Sequence, residues 1–167
     1  MGVSTVVGAF EGVVAVLPVV ICFQSLILDM AGNVGTQSLA VTIRVLMDET
    51  LRAKQKALLV VKEMRVGFCN GLLLSALSFV CIMGYLCLFK QEAPVYAASV
   101  SLCVSLALVI SMVISSLVGT AVPMFFHKIK IDPAVASGPL ITTVNDLVAV
   151  VTYYGLAWLL LMDVMNL

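Results

Sequence analysis

The sequence predicts an all-α membrane protein, a helical transmembrane bundle, from its composition, the length of its apolar runs and the placement of its charges. Of 167 residues, 62% are hydrophobic and 11% charged, with a mean hydropathy of +1.18. Soluble domains run about 45–50% apolar and about 25% charged. The apolar runs are long enough to cross ~30 Å of hydrocarbon, and the Lys and Arg residues gather between them. A chain this long holds four or five such helices and little else, so a single transmembrane domain over 1–167 is expected, with four full spans plus an N-terminal partial span. No catalytic or sensory soluble domain fits, and the formal net charge of zero lacks the basic footprint of a nucleic-acid binder. Cys22, Cys69, Cys81, Cys87 and Cys103 lie in apolar stretches without CxxC spacing, which indicates neither a zinc site nor a disulfide framework.

The elements follow in order. Val3 to Phe10 is apolar but too short to span, and Glu11-Gly12 ends it, as though the chain began inside a first membrane helix. Glu11 also interrupts any signal-peptide core and suits an interfacial position. Val13 to Leu28 flows into a polar stretch, Asp29 to Arg44, and on to Leu46. One helix over that range exceeds what a bilayer needs, and Pro18, Gly32 and Gly35 supply places to bend or unwind. Met47 to Arg65 is charged, with Leu51, Leu58, Leu59, Val61 and Met64 as its apolar members, and is expected as a helical linker along the interface. Val66 to Leu88 gives a clean span of about 34 Å. Lys90 to Pro94 turns the chain, and Val95 to Phe126 forms a serine-rich third span with Gly119 and Pro123 near its end. His127 to Pro133 is a loop in which Asp132 suits a helix N-cap. Ala134 to Met162 is the last span, weakened at Gly138-Pro139 and carrying Asp146. The excess of Lys and Arg places loops 44–65 and 127–132 in the cytoplasm and Lys90 outside. A multi-pass protein of the cell membrane is expected.

Polar residues at membrane depth need water, an ion or another helix to face, since an Asp at a helix centre costs roughly 2.5–3.5 kcal/mol on insertion scales. Residues three and four apart share a helix face. Asp29, Asn33, Thr36, Ala40 and Arg44 therefore form one stripe, flanked by Gly32 and Gln37. In the last span Gly138, Thr142, Asp146, Ala149 and Tyr153 form another, flanked by Thr143 and Asn145. Carboxylate, amide, hydroxyl and carbonyl oxygens suit magnesium, calcium or manganese better than copper or zinc. Magnesium usually keeps several waters, so few carboxylates suffice, and a two-fold dimer brings two Asp146 side chains together on its axis.

Three motifs carry a resemblance to a known family: Gly32-Asn-Val-Gly-Thr-Gln-Ser38, Lys62-Glu-x-x-Val-Gly-x-x-Asn-Gly71 and Asp132-Pro-Ala-x-x-Ser-Gly-Pro-x-x-Thr-Thr-x-Asn-Asp146. In order and spacing they resemble the membrane domain of the MgtE magnesium channels and their eukaryotic solute-carrier relatives, over nearly the whole chain. The resemblance implies a homodimeric channel for hydrated Mg2+ with its pore on the dimer axis. Asp146 resembles the family's central pore aspartate, and Thr142 and Gly138 other pore-lining positions. Gly32, Asn33, Gly35 and Thr36 resemble the opposite wall. Asp29, Asn33, Thr36, Gly32, Thr142 and Asp146 are thus the candidate ion-site residues, with Gly138, Asn145, Gln37 and Ala149 lining the path. Departures exist: Ala31-Gly32 stands where many members have two glycines, and Asp29 where a small or apolar residue is common. The family's cytosolic sensor and paired CBS modules have no counterpart in these 167 residues. Expected partners are a second copy, the bilayer, the ion (Mg2+, with Mn2+, Ca2+ or Co2+ as alternatives) and a separate cytosolic regulatory domain or chain.

A sodium-coupled magnesium exchanger and a non-conducting membrane scaffold are the alternative functions, and an intramembrane hydrolase using Asp29 and Asp146 has no motif behind it. No enzymatic role is expected. Asp146 has a packing role as its plainer alternative, and the glycines of the first motif permit close helix contact without any ion. Asp29 suits a structural or mouth-lining role equally well. His127 reads as an ordinary interface residue, and Asn70-Gly71 and the serines of the third span as packing.

Overall fold

The computed structural model describes residues 2–12, 18–47, 53–136 and 139–164. Its helices are α1 (Gly2–Ala9), α2 (Val19–Leu46), α3 (Ala53–Leu88), α4 (Pro94–Lys128) and α5 (Pro139–Ala157), with a 3-10 turn at Pro133–Ala136 and a π-helical continuation at Trp158–Val164. Among the described residues, four helical segments are long and apolar enough to cross a membrane: Val19–Leu46, Lys54–Leu88, Pro94–Lys128 and Leu140–Leu161. The expected helical bundle is therefore present, with α1 as the short N-terminal element. Phe10, just after α1, stacks on Tyr154 of α5 with ring centroids 5.8 Å apart.

Two expectations about the elements are corrected. The polar stretch does not unwind: α2 is one continuous helix of 28 residues, Pro18 sits at its N-cap, and Gly32 and Gly35 lie within it. In hydrocarbon an exposed amide or carbonyl finds no water, so a glycine-containing segment gains by keeping its helical hydrogen bonds. The interfacial linker is also absent as a separate element. From Ala53 its residues belong to α3, a single helix of 36 residues that continues into the span. Ala, Lys, Gln and Leu are all good helix formers, and neither Gly nor Pro separates Ala53 from Val66. Of the connection expected over 44–65, residues 44–46 belong to α2 and 53–65 to α3, and 48–52 lie outside the described residues.

Helices in lipid associate by close packing of small residues rather than by a hydrophobic drive, and the contacts here follow that rule. α4 is the central helix, packed against α3, α2 and α5. Its interior faces carry Ser99, Ser101, Ser105, Ala107, Ser111, Ser115, Ser116, Gly119 and Thr120, all buried. Against α3 the helices run antiparallel. A Cβ on Gly67 would stand 2.5 Å from Ser116 Oγ and 2.8 Å from the Met112 carbonyl, and one on Gly71 3.0 Å from Val109 Cα. Ser105 Oγ donates to the Ser75 carbonyl at 3.0 Å, and Lys56 Nζ lies 3.5 Å from His127 Nδ1. The buried hydroxyls of Ser101 and Thr120 donate back to the carbonyls of Ala97 and Ser116 in their own helix, at 2.7 and 2.8 Å.

α5 returns antiparallel to α2. The Tyr153 hydroxyl donates to the Val20 carbonyl and that of Tyr154 to Gln24 Oε1, each at 2.8 Å. Both tyrosines are fully buried at the junction of α2, α4 and α5. Pro94 opens α4, where a missing amide hydrogen costs nothing. Pro123 near its other end withdraws the donor that would bond the Gly119 carbonyl. After α4 the chain turns through Lys130 in the left-handed region (φ 61°), with its amide donating to the His127 carbonyl at 3.2 Å. Asp132 Oδ1 then accepts the Ala134 amide at 2.9 Å, so the expected cap is made, on the 3-10 turn.

Candidate functional site

The polar stripe of α2 points away from the bundle. Asp29, Asn33, Gln37, Ala40 and Arg44 are exposed, Gly32 and Thr36 half-buried, while Ala31, Val34, Gly35, Ser38, Leu39 and Thr42 occupy the opposite, buried face. The Thr36 hydroxyl shares its proton between the carbonyls of Gly32 at 2.9 Å and Asn33 at 3.0 Å. A Cβ added to Gly32 would meet nothing within 4 Å. This glycine therefore keeps the stripe low without serving any contact within the protomer.

On α5 the polar face is open only in part. Thr143 is exposed and Thr142 and Asp146 half-buried, whereas Asn145 and Ala149 are fully buried. Gly138 lies outside the described residues. Because α2 and α5 are packed antiparallel, with Asn145 of α5 against Gly35 of α2, their open sectors adjoin. The structure thus gathers Asp29, Gly32, Asn33, Thr36, Gln37, Thr142 and Asp146 on the outer side of the α2/α5 pair. It places Asn145 and Ala149 inside the protomer instead.

What seats α5 against α2 is a stack of three small groups, one from each helix. The Asn145 side chain lies directly over Gly35, where any Cβ would collide with its amide nitrogen, and the Gly35 carbonyl in turn fills the space a Cβ on Gly119 would need. Gly35 therefore packs inward, between α4 and α5, and not toward the stripe. Among the described residues, neither polar atom of the Asn145 amide has a hydrogen-bond partner. The role of Gly119 in this stack is invisible in the sequence, where it stands simply near the end of the third span. Glu63, only 4% exposed on the α4-facing side of α3, was likewise not singled out. Its signals are its place in the second motif and in the series Leu59, Glu63, Gly67 and Gly71, a single face of the helix.

Among the described residues no three His, Cys, Asp or Glu side chains come together as a group able to hold a metal ion. A bundle of four membrane-length helices, two of which carry a polar, carboxylate-bearing outer face, defines an integral membrane protein. Comparison with known proteins gives the family. The family model described as MgtE, divalent cation transporter, matches residues 24–156. The chain is 33% identical over 154 residues to the magnesium transporter MgtE of Bacillus subtilis (strain 168), covering 92% of this chain and 32% of that one. It is 30% identical over 157 residues to the magnesium transporter MgtE of Enterococcus faecalis, covering 94% and 33%. The Thermus thermophilus magnesium transporter MgtE is 30% identical over 163 residues, covering 96% and 34%. The chain belongs to the MgtE family, and it spans about a third of the length of these relatives.

Proposed function

We propose that this chain conducts hydrated magnesium across the membrane as a homodimer, through a path between the α2 and α5 faces of two protomers. The observation that carries this is the outward placement of Asp146 beside the α2 stripe. A carboxylate and a row of amide and hydroxyl oxygens facing hydrocarbon would be costly, and a second copy related by a two-fold axis covers them with their own likeness. One protomer supplies too few acids for a divalent ion. Two supply paired Asp146 carboxylates, with Thr142, Asn33 and Thr36 around them and Asp29 on the same outer face. The names of the relatives support magnesium as the cargo.

In mechanism, magnesium sheds water reluctantly, so the carboxylates hold the ion through its hydration shell. Unit charges about 4 Å apart at an effective dielectric near 20 interact by roughly 4 kcal/mol. A paired acid and a doubly charged ion therefore attract strongly enough to overcome the barrier to entry. Repulsion from a following ion, and the water kept between ligand and metal, let the site empty again. Helix α2 offers side-chain oxygens and no unwound carbonyls, because it is helical throughout. Cytoplasmic placement of the basic end follows from the positive-inside rule.

The test is magnesium flux into proteoliposomes. Asp146→Asn is expected to lower it at least tenfold, with Asp29→Asn the milder change, and crosslinking between α5 helices is expected to trap dimers. Wild-type flux through Asp146→Asn would favour the scaffold, and flux that requires an opposing sodium gradient would favour the exchanger.

A further inference from the structure

The cytoplasmic end of α3 carries a groove of about 560 Å³ that the conduction path does not use. Its walls are Leu58, Val61, Val66 and Cys69, and its polar groups include Lys62 and Arg65. Both cations are exposed, and among the described residues neither forms an ion pair or hydrogen bond. Glu63, the only acid in α3, sits between them in sequence but is turned inward against α4 at 4% exposure. The face therefore holds two positive charges with no carboxylate of its own helix to answer them.

Their height in the membrane is set by the helix. From Leu88 back to Arg65 α3 rises about 34 Å, close to the ~30 Å hydrocarbon thickness. Lys62 and Arg65 accordingly stand at the level of the phosphate groups. Below them the same side of α3 continues apolar and exposed through Phe68, Leu72, Leu73 and Leu77. A surface of that polarity suits acyl chains.

We propose that this groove binds an anionic phospholipid of the cytoplasmic leaflet, its phosphate between Lys62 and Arg65 and one acyl chain along Val66, Cys69 and Leu73. Two cations spaced three apart on a helix and set above an apolar track match a headgroup and its chain in both charge and polarity. Zwitterionic lipids share the chain but answer the charge only in part. The inference rests on the membrane position of α3 and is independent of what the α2/α5 face conducts.

The experiment is native mass spectrometry of the detergent-purified full chain, titrated with phosphatidylglycerol or phosphatidylcholine of equal chain length. Phosphatidylglycerol is expected to bind at least tenfold more tightly. Lys62→Gln with Arg65→Gln should weaken it about thirtyfold, while the charge-keeping pair Lys62→Arg with Arg65→Lys restores binding. Cys69→Trp, which fills the apolar half, should weaken both lipids. Lys128→Gln with Lys130→Gln, at the same end but off the groove, should leave the affinity within about twofold. The proposal is overturned by unchanged phosphatidylglycerol binding in the double Gln variant, or by an equal loss when Lys128 and Lys130 are neutralised. It is also overturned if inorganic phosphate alone displaces the lipid fully, or if the double Gln variant changes the oligomeric state, which would make the occupant a second copy.

Discussion

Replacing Gly35 by Ala should unseat α5 from α2, and the packing sets the size of the effect. The added methyl would overlap the Asn145 amide, with the Asn145 Cγ only 2.8 Å away. Asn145 is fully buried, so its side chain has nowhere to retreat. Overpacking of this kind costs typically 1–3 kcal/mol, against a gain of up to about 1 kcal/mol from replacing a helical glycine. A net loss of about 1–2 kcal/mol is expected. Asn145→Ala removes the obstacle together with an amide whose two polar atoms are unpartnered. The double variant should therefore recover most of the loss, with a coupling energy of about 1 kcal/mol or more between the two sites. Gly119→Ala is the internal contrast: its methyl would strike the Gly35 backbone, which Asn145→Ala cannot relieve. Thermal melting of the purified protein, followed by loss of the monodisperse species, reads all of these. A Gly35→Ala protein as stable as wild type, or a double variant no better than the single, would refute the three-helix stack.

Gly32→Ala meets no atom within 4 Å, so its melting should match or slightly exceed wild type while its magnesium flux falls, and unchanged flux would remove Gly32 from the path. Tyr154→Phe gives up the hydrogen bond to Gln24 and should cost about 0.5–1.5 kcal/mol in the same melting assay. Asp132→Ala loses the cap on the Ala134 amide and is expected to destabilise by about 0.5–2 kcal/mol, with Asp132→Asn or Asp132→Ser recovering most of it.

The helical bundle was legible from hydropathy and charge placement because a bilayer allows few solutions: a span must be helical, about 20 residues long and nearly free of charge. The limits of the reading lay where neighbours decide the outcome. Gly32 and Gly35 look alike in sequence as points where a helix opens. One proves to face open space and the other to admit an asparagine, a distinction made by α4 and α5 and not by the motif. Asn145 and Asp146 are adjacent and similarly polar, but a step of one residue turns about 100° on a helix, which sends one inside and leaves the other half-buried. The charges of Lys54, Lys56, Lys62 and Arg65 suggested a separate interfacial element. They are instead the protruding end of a span that rises about 54 Å in all, well past the hydrocarbon.

The adjacency of Asn145 and Asp146 has a wider consequence. An outward acid riding on the same rigid turn as an inward amide inherits its bearing from the protomer's interior. On the proposed conduction path, ion preference can then drift through exchanges among hidden small side chains, Gly35 and Gly119 first, while every oxygen proposed to meet the ion stays the same. Two homologues with matching pore linings need not select alike.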